Sequence, residues 1–173
     1  MLAGQTMIPR TDHSDPPAAS PGLRLVEPRD VPAILAMIEA IFREYNLVLN
    51  VEHDDVHLKD PPTYFRSQGG EFWVVEDSGR IVATGGVTLH DDAGELKGLY
   101  VDPTVRQQGW GRRLTELAMD FARRAGKRRF VLWSDTRFTR AHRLYRSMGF
   151  TPIGERPLYD SNNSIEYGFE RAL

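Results

Sequence analysis

The 173-residue sequence contains no cysteine. Without a thiol, the chain cannot form a disulfide, a zinc thiolate site or a cysteine nucleophile. It has no run of about 20 apolar residues that could span a bilayer, and its N-terminus lacks the basic, apolar and small-residue order of a signal peptide. With a formal net charge of −2, neither sign of charge dominates. We therefore expect a cytoplasmic protein with no nucleic acid or membrane as partner.

Hydrophobic residues make up 40% of the chain and charged residues 27%, which is typical of a soluble domain. The first 22 residues are rich in proline and have no periodic apolar pattern, so we predict a flexible leader over residues 1–22. The remaining residues, 23–173, have the length of a single domain.

Helical and strand patterns follow one another along this domain. Alternating or continuous apolar residues predict strands over residues 23–26, 72–76, 81–89, 95–101 and 130–133 and a closing strand around 165–169. Apolar residues at helical spacing predict three helices, with faces from Ile34 to Tyr45, from Leu114 to Ala125 and from Ala141 to Met148. Residues 46–70 are polar and irregular, with room for one short helix.

A glycine-containing segment precedes the second helix. The first N–H groups of a helix are unpaired and carry partial positive charge, so they can hold a phosphate if the backbone can approach it. Gly109 and Gly111 permit that approach, although two glycines also occur in plain tight turns. A Walker A loop is absent, and a dinucleotide fingerprint would need glycine or alanine at Leu114. A pyrophosphate site and a simple turn are both open at this point.

Two motifs carry a family resemblance. The first, Arg106-x-x-Gly109-x-Gly111, resembles the acetyl-CoA motif R/Q-x-x-G-x-G/A of the GNAT N-acetyltransferases. The second, at residues 141–150, reads AHRLYRSMGF and is similar to the family's A-x-x-L-Y-x-x-x-G-F. The resemblance covers about residues 23–170 and is clearest after Glu95. Many members have asparagine where this chain has Phe138, so the contact of that asparagine to the cofactor arm is not expected here.

The resemblance implies an α/β (α+β) fold in which helices flank a central, mixed, mostly antiparallel sheet. A V-shaped cofactor cleft should lie between the splayed strands at 95–101 and 130–133. The implied cofactor is acetyl-CoA, whose pyrophosphate the loop amides bind and whose pantetheine arm pairs with the preceding strand. The predicted cofactor-binding residues are Leu99, Tyr100, Val101, Arg106, Gln107, Gln108, Gly109, Trp110, Gly111 and Arg112.

By resemblance, Tyr145 is the general acid that protonates the departing CoA thiolate. A phenol with a pKa of about 10 keeps its proton at neutral pH and can donate it to a thiolate whose pKa is near 8.5. The alternative is a core residue, because Tyr145 lies on the apolar face of its helix.

The general base is the second catalytic prediction. A protonated amine with a pKa near 10.4 must lose a proton before it attacks. Strand alternation places Glu95 on one face with Leu99 and Val101, and its spacing to the loop resembles that of the catalytic glutamate in histone-acetylating members. The alternative is a solvated carboxylate. Asp135 is the next candidate, followed by His142, which could also be merely exposed.

We therefore expect an acetyl-CoA-dependent N-acetyltransferase that acetylates a primary amine of a small molecule or peptide by direct attack, as a monomer or homodimer and without a metal. A non-catalytic acyl-CoA sensor and a transferase that uses another acyl-CoA are the alternatives. Acidic residues at 54–60, with Asp91 and Asp92, favour a cationic acceptor. We interpret His53 and His57 as part of a solvated loop near the acceptor, and the basic residues 123–129 as a solvated helix end.

Overall fold

Seven strands form one sheet in the computed structural model, which describes residues 21–173. They are β1 (Gly22–Leu25), β2 (Glu71–Asp77), β3 (Arg80–Leu89), β4 (Ala93–Val101), β5 (Arg129–Asp135), β6 (Thr151–Pro157) and β7 (Ile165–Ala172). Their order across the sheet is β1-β2-β3-β4-β5-β7-β6. Within the described residues β4 and β5 pair in parallel and the other neighbours are antiparallel, which confirms a mixed, mostly antiparallel sheet. The predicted leader lies outside the described residues up to residue 20, and Gly22 already belongs to β1.

Helices cover both faces of the sheet. They are α1 (Val31–Glu44), α2 (Pro61–Ser67), α3 (Trp110–Arg124) and α4 (Thr139–Ser147). One core joins α1 and α2 to the sheet and includes Ile38, Phe65 and Phe72, whereas the other joins α3 and α4 to it and includes Leu114 and Phe130. None of the helices within residues 21–173 has the length and apolar character needed to cross a membrane.

The first helix, α1, places its apolar residues on one face, as their spacing in the sequence indicated. Its predicted apolar face is buried, as expected for residues at helical spacing. Asp30 is the N-cap of α1, and its carboxylate accepts hydrogen bonds from the Arg24 guanidinium at 2.7 and 2.8 Å and from Glu27 N. The irregular segment after α1 holds α2 and a 3-10 helix over Val56–Leu58, one short helix more than expected.

Strand β4 contains a bulge. Its register against β3 steps from Thr84↔Tyr100 to Gly86↔Lys97, so three steps along β4 match two along β3. Gly98 lies in the bulge with φ of 64°, in the left-handed region that favours glycine. The extra residue shifts the alternation of side chains between the two faces.

The bulge overturns one prediction about β4. Leu99 and Val101 pack against the α3 core, whereas Tyr100 packs against the α1 core. Glu95 and Lys97 lie on the same face as Tyr100, because their β3 partners share that face. The prediction that Glu95 shares a face with Leu99 and Val101 is therefore wrong, since it assumed an unbroken alternation.

The pairing of β4 with β5 ends early. It runs from Ala93↔Arg129 to Leu96↔Leu132, and the last residues of the two strands are unpaired with each other. The strands splay apart beyond this point. This opening is the V-shaped gap that the sequence predicted between residues 95–101 and 130–133.

Candidate active site

The gap between β4 and β5 opens into a cleft of about 1160 Å³. It is lined by residues of both strands, the loop before α3, the first turns of α3 and α4, the segment after α1 and the turn between β6 and β7. All the predicted cofactor-binding residues lie along this cleft except Gln108, which is exposed and outside its lining.

The loop before α3 presents a helix N-terminus to the cleft. Gln107 and Gly109 both have left-handed backbone conformations, with φ of 64° and 85°. Gly109 is the N-cap, and its carbonyl accepts the first helical hydrogen bond, from Arg113 N at 3.0 Å. The backbone N–H groups of residues 110–112 lie in the first turn of α3, where the helix offers no carbonyl to accept from them. A Cβ added to Gly109 would meet no described atom within 4 Å, so this backbone is open to a ligand.

Two motif residues also have packing roles. A Cβ added to Gly111 would lie 3.1 Å from Leu144 Cδ2, so this glycine lets α3 pack closely against α4. The Arg106 guanidinium donates to both carboxylate oxygens of Glu44 at 2.8 and 2.9 Å, and its Nε donates to the Val101 carbonyl. Arg106 therefore ties the end of α1 to the loop.

Three further arginines, Arg112, Arg140 and Arg143, line the cleft from the first turns of α3 and α4. Sequence reasoning missed the last two, although their place at the start of the second motif helix was a usable signal. The basic residues 123–129 lie outside the cleft lining, where Arg129 pairs with Asp92 at 3.1 Å. Their interpretation as solvated surface residues agrees with this placement.

Tyr145 combines a core position with a polar role. Its residue surface is 5% exposed, and its ring lies 6.0 Å from that of Phe150 and 5.7 Å from that of Phe169. Its hydroxyl has no hydrogen-bond partner within residues 21–173, and the residue lines the cleft. Burial raises the pKa of Tyr145 above its usual value, so the phenol stays protonated. The two interpretations of this tyrosine are therefore compatible.

Glu95 lies across the cleft on the α1 face of the sheet. Its side chain is 14% exposed, and its carboxylate lies 2.8 Å from both Lys97 Nζ and His90 Nε2. Burial acts to raise the pKa of Glu95, but Lys97 and His90 outweigh it and the pKa is below the usual value. The carboxylate is therefore ionised and held in place.

The other candidates for the general base, Asp135 and His142, differ in whether they line the cleft. Asp135 is buried, lines the cleft and accepts a hydrogen bond from Arg137 N at 2.8 Å. His142 is buried and lies outside the cleft lining, with its Nε2 3.2 Å from Ser134 Oγ. The alternative of an exposed His142 is wrong, because α4 turns this side chain against β5 and β7.

A group of aspartates, Asp54, Asp55 and Asp160, forms the cleft wall beside α1. Sequence reasoning missed Asp160, which lies in the Asp-Ser-Asn-Asn turn between β6 and β7. Burial, with the nearby charges of Asp54 and Asp160, raises the pKa of Asp55 to about 6. His57 also lines this wall, and burial lowers its pKa to about 4. The solvated loop predicted here is thus partly enclosed.

Comparison with known proteins identifies the family. Residues 35–150 match the acetyltransferase (GNAT) family over most of the domain. The chain belongs to this family. It is 31% identical over 140 residues to the uncharacterized N-acetyltransferase YjgM of Escherichia coli K12, which covers 78% of this chain and 84% of that protein. Some curated relatives are longer, and the chain spans 36% and 56% of the length of two of them.

Solved GNAT structures share the fold. A GNAT acetyltransferase from Staphylococcus aureus Mu50 superimposes with a TM-score of 0.78 at 21% identity, covering 89% of this chain and 99% of that one. YncA from Salmonella typhimurium, solved with its cofactor acetyl-CoA, gives a TM-score of 0.69 at 21% identity and covers 90% and 95%. The predicted fold, family and acyltransferase class are confirmed.

Charge divides the cleft of this acetyltransferase into two sides. The side of α3 and α4 contributes the arginines Arg112, Arg140 and Arg143, whereas the side of α1 contributes aspartates. Lys97 and Arg156 also line the cleft, but each is paired with a glutamate, at 2.8 and 2.7 Å. One side therefore suits an anionic ligand and the other a cationic one.

Proposed function

We propose that this chain is an acetyl-CoA-dependent N-acetyltransferase that acetylates a primary amine by direct attack on the thioester. The observation that carries the proposal is a single cleft with an arginine-rich side at a helix N-terminus, an aspartate-rich side and an unpartnered phenol facing it. A CoA phosphate fits the first side and an amine fits the second. The relative YncA, solved with acetyl-CoA, supports this choice of cofactor.

The residues that would hold acetyl-CoA fit its chemistry. The open backbone at Gly109 and the first amides of α3 suit a pyrophosphate, with Arg112, Arg140 and Arg143 close enough to the cleft to neutralise phosphate charge. The end of β4 pairs with β3 but not with β5, so the edge at Leu99 and Tyr100 can offer backbone groups to the amides of a pantetheine arm, whereas the Val101 carbonyl already accepts from Arg106 Nε. When bound there, acetyl-CoA supplies an activated acetyl group.

Tyr145 acts in this proposal on the leaving sulfur. Its phenol is neutral, and no group within residues 21–173 occupies its hydroxyl, so the O–H is free to donate to negative charge that develops in the cleft. Its raised pKa favours a strong hydrogen bond over an early proton transfer. The proton moves as the sulfur becomes a thiolate.

Glu95 removes the amine proton in this proposal. Its carboxylate lies on the face of β4 that carries Tyr100, so it reaches the cleft from the aspartate side. Its low pKa makes it a weak base, but Lys97 and His90 fix its orientation, and a carboxylate has lone pairs left to accept a proton through a water. No covalent enzyme intermediate is needed.

Two measurements on the full chain test the function. Acetyl-CoA should raise the melting temperature, because a ligand that binds only the native state stabilises it by about 2.7 kcal/mol at a hundred times its Kd. Free thiol should then appear only when a primary amine is added. Binding without thiol release across a panel of amines would indicate a sensor, and absence of binding at millimolar acetyl-CoA would overturn the assignment of the cofactor.

A further inference from the structure

Three carboxylates of the cleft are not used by the proposed chemistry. Asp54, Asp55 and Asp160 have no ion-pair partner in the part of the chain that the structure describes. Glu95 and Glu166, which line the same cleft, are paired with Lys97 and Arg156. Carboxylates gathered at the wall of a half-enclosed cleft repel one another unless a cation joins them.

These carboxylates are held in fixed positions. Asp55 accepts from Asn50 N at 3.0 Å, and Asp54 accepts from Ser161 N at 3.0 Å. Asp160 accepts from the amides of the turn that follows it, at 2.8 and 3.1 Å. Each carboxylate has lone pairs left over after these bonds. The wall is therefore preorganised, which lowers the cost of binding a cation.

Two polar groups that line the same cleft also lack partners. The Tyr100 hydroxyl makes no hydrogen bond within residues 21–173; burial, then the charges of Asp55, Glu166 and Asp135, raises its pKa. The His57 Nε2 atom is buried without a hydrogen-bond partner in the same range. The free phenol beside the carboxylates points to a bound polar group.

Apolar rings line the same cleft as this wall. Phe42, Tyr45 and Phe138 line the cleft and contact one another, with ring centroids 4.9 Å apart for Tyr45 and Phe138 and 6.3 Å apart for Phe42 and Phe138. Such rings accommodate a hydrocarbon stem and attract a nearby cation.

From this arrangement we infer that the acceptor is a small diamine, with one amine acetylated and the other bound as an ammonium ion by Asp54, Asp55, Asp160 and the Tyr100 hydroxyl. This inference rests on the proposed function. The reacting nitrogen must be neutral, so the charge that the aspartates recognise belongs to the far end of the substrate. A monoamine of the same length leaves the carboxylates unpaired, and the cleft discriminates against it.

A small molecule fits this wall better than an extended peptide. Four hydrogen bonds close the cleft here by joining residues 48–54 to residues 161–162. Two of them pair the Asn162 side-chain amide with the backbone of Val48, at 2.8 and 2.9 Å. A peptide chain would have to pass through this closure, whereas a diamine ends at it.

The test compares butylamine, hexylamine and octylamine with the matching α,ω-diamines. We expect at least one diamine to exceed its monoamine in kcat/KM by about tenfold or more, because hydrogen bonds to charged groups are the stronger ones. Asp55→Asn and Asp160→Asn keep an oxygen for the backbone amides but remove a charge, and each should lower diamine kcat/KM about tenfold with monoamine kcat/KM unchanged. Tyr100→Phe should weaken diamine binding in the absence of acetyl-CoA; its monoamine rate is not a control, because the backbone of Tyr100 belongs to the cofactor side of the cleft. Asp91→Asn, an exposed carboxylate outside the cleft lining, is the matched control and should change neither substrate.

Calorimetric titration of the same diamines into the full chain without acetyl-CoA gives a readout that does not need turnover. Binding that Asp55→Asn weakens supports the inference even if no amine is acetylated, in which case the proposed function alone fails. Equal kcat/KM for monoamines and diamines, or diamine binding that the three variants leave unchanged, would overturn the inference and leave the acetyltransferase activity standing. A lysine-containing peptide that reacts faster than every diamine would also overturn it.

Discussion

At the scale of single residues, Tyr145 has a ring and a hydroxyl with separate tasks. The ring is packed between Phe150 and Phe169, while the hydroxyl makes no contact that folding needs. Loss of the hydroxyl therefore leaves no buried group unsatisfied. This separation makes the role of the hydroxyl measurable without a change in stability.

For Tyr145→Phe we predict a fall in kcat of about 10²- to 10⁴-fold, the usual contribution of a general acid, with acetyl-CoA affinity and melting temperature nearly unchanged. Single-turnover kinetics are the proper measurement, because slow product release would hide the effect. Tyr64→Phe, in α2 and outside the cleft lining, is the matched control. A full single-turnover rate in Tyr145→Phe would reduce this tyrosine to a core residue.

The pH dependence of kcat/KM in the Glu95→Gln variant should show whether Glu95 acts as a general base. The Glu95 pKa is already below its usual value, so the residue is ionised throughout the working range. The loss in kcat/KM should be greatest at neutral pH and shrink as the pH approaches the amine pKa, because free amine then becomes abundant. A constant loss at every pH would mean that Glu95 only positions the amine. Asp135→Asn, measured over the same range, would then be decisive.

At the scale of elements, the start of α3 is the part most directly exposed to cofactor charge. Gly109 has a left-handed backbone and open space around it, so a short polar side chain fits there without collision. Asparagine and aspartate both tolerate this conformation and both cap helices, yet they differ by one negative charge.

We therefore predict that Gly109→Asp binds acetyl-CoA at least about tenfold more weakly than Gly109→Asn, since a carboxylate within a few ångströms of a phosphate is repelled. The dissociation constants can be measured by calorimetric titration. Both variants should melt at similar temperatures. Similar affinities for the pair would show that the phosphates lie elsewhere and that the loop is only a turn.

Elements with a one-sided apolar pattern could be predicted from the sequence, and elements without one could not. The buried face of α1 was readable because five of its residues recur at helical spacing. Strand β6 was missed because its residues are all exposed and include Pro152 and Gly154, so backbone pairing with β7 holds it in place. The bulge had a signal that went unused, since apolar Leu96 and Leu99 are three positions apart in the sequence with Gly98 between them.

The cofactor side of the candidate site could be predicted from the sequence, whereas the acceptor side could not. Its cofactor side lies within two continuous motifs, so resemblance located it. Its acceptor side is assembled from segments more than 100 residues apart, such as Asp54 and Ser161, which meet through side-chain hydrogen bonds that no local pattern records. Contacts of this kind follow from the tertiary fold.

At the scale of the whole molecule, the ionised Asp55 carboxylate in the aspartate wall opposes folding. The pKa of Asp55 is about 6 in the folded protein and about 3.9 in an unfolded chain. Between these values the folded state binds more protons, so the free energy of unfolding falls as pH rises from about 4 to about 6. At neutral pH the Asp55 carboxylate is ionised in the native state, and this lowers the free energy of unfolding.

Asp55→Asn is therefore expected to melt at a higher temperature than the wild type at pH near 7, and this gain should vanish near pH 4. Thermal unfolding across this range measures it, and the titration of His57 cancels because both proteins contain that residue. Asp91→Asn should show no such pH-dependent difference. A variant that is less stable than the wild type at neutral pH would contradict the raised pKa.

The closure between residues 48–54 and 161–162 has a consequence for exchanging acceptor preference between relatives. One of these segments follows α1 and the other connects β6 to β7, yet they share Asn162 and Ser161 as common partners. A graft that transplants the first segment alone and lacks the Asp54 carboxylate would remove the acceptor of the Ser161 N–H. Acceptor specificity therefore depends on both loops together. We expect active chimaeras to need both loops from the same parent protein.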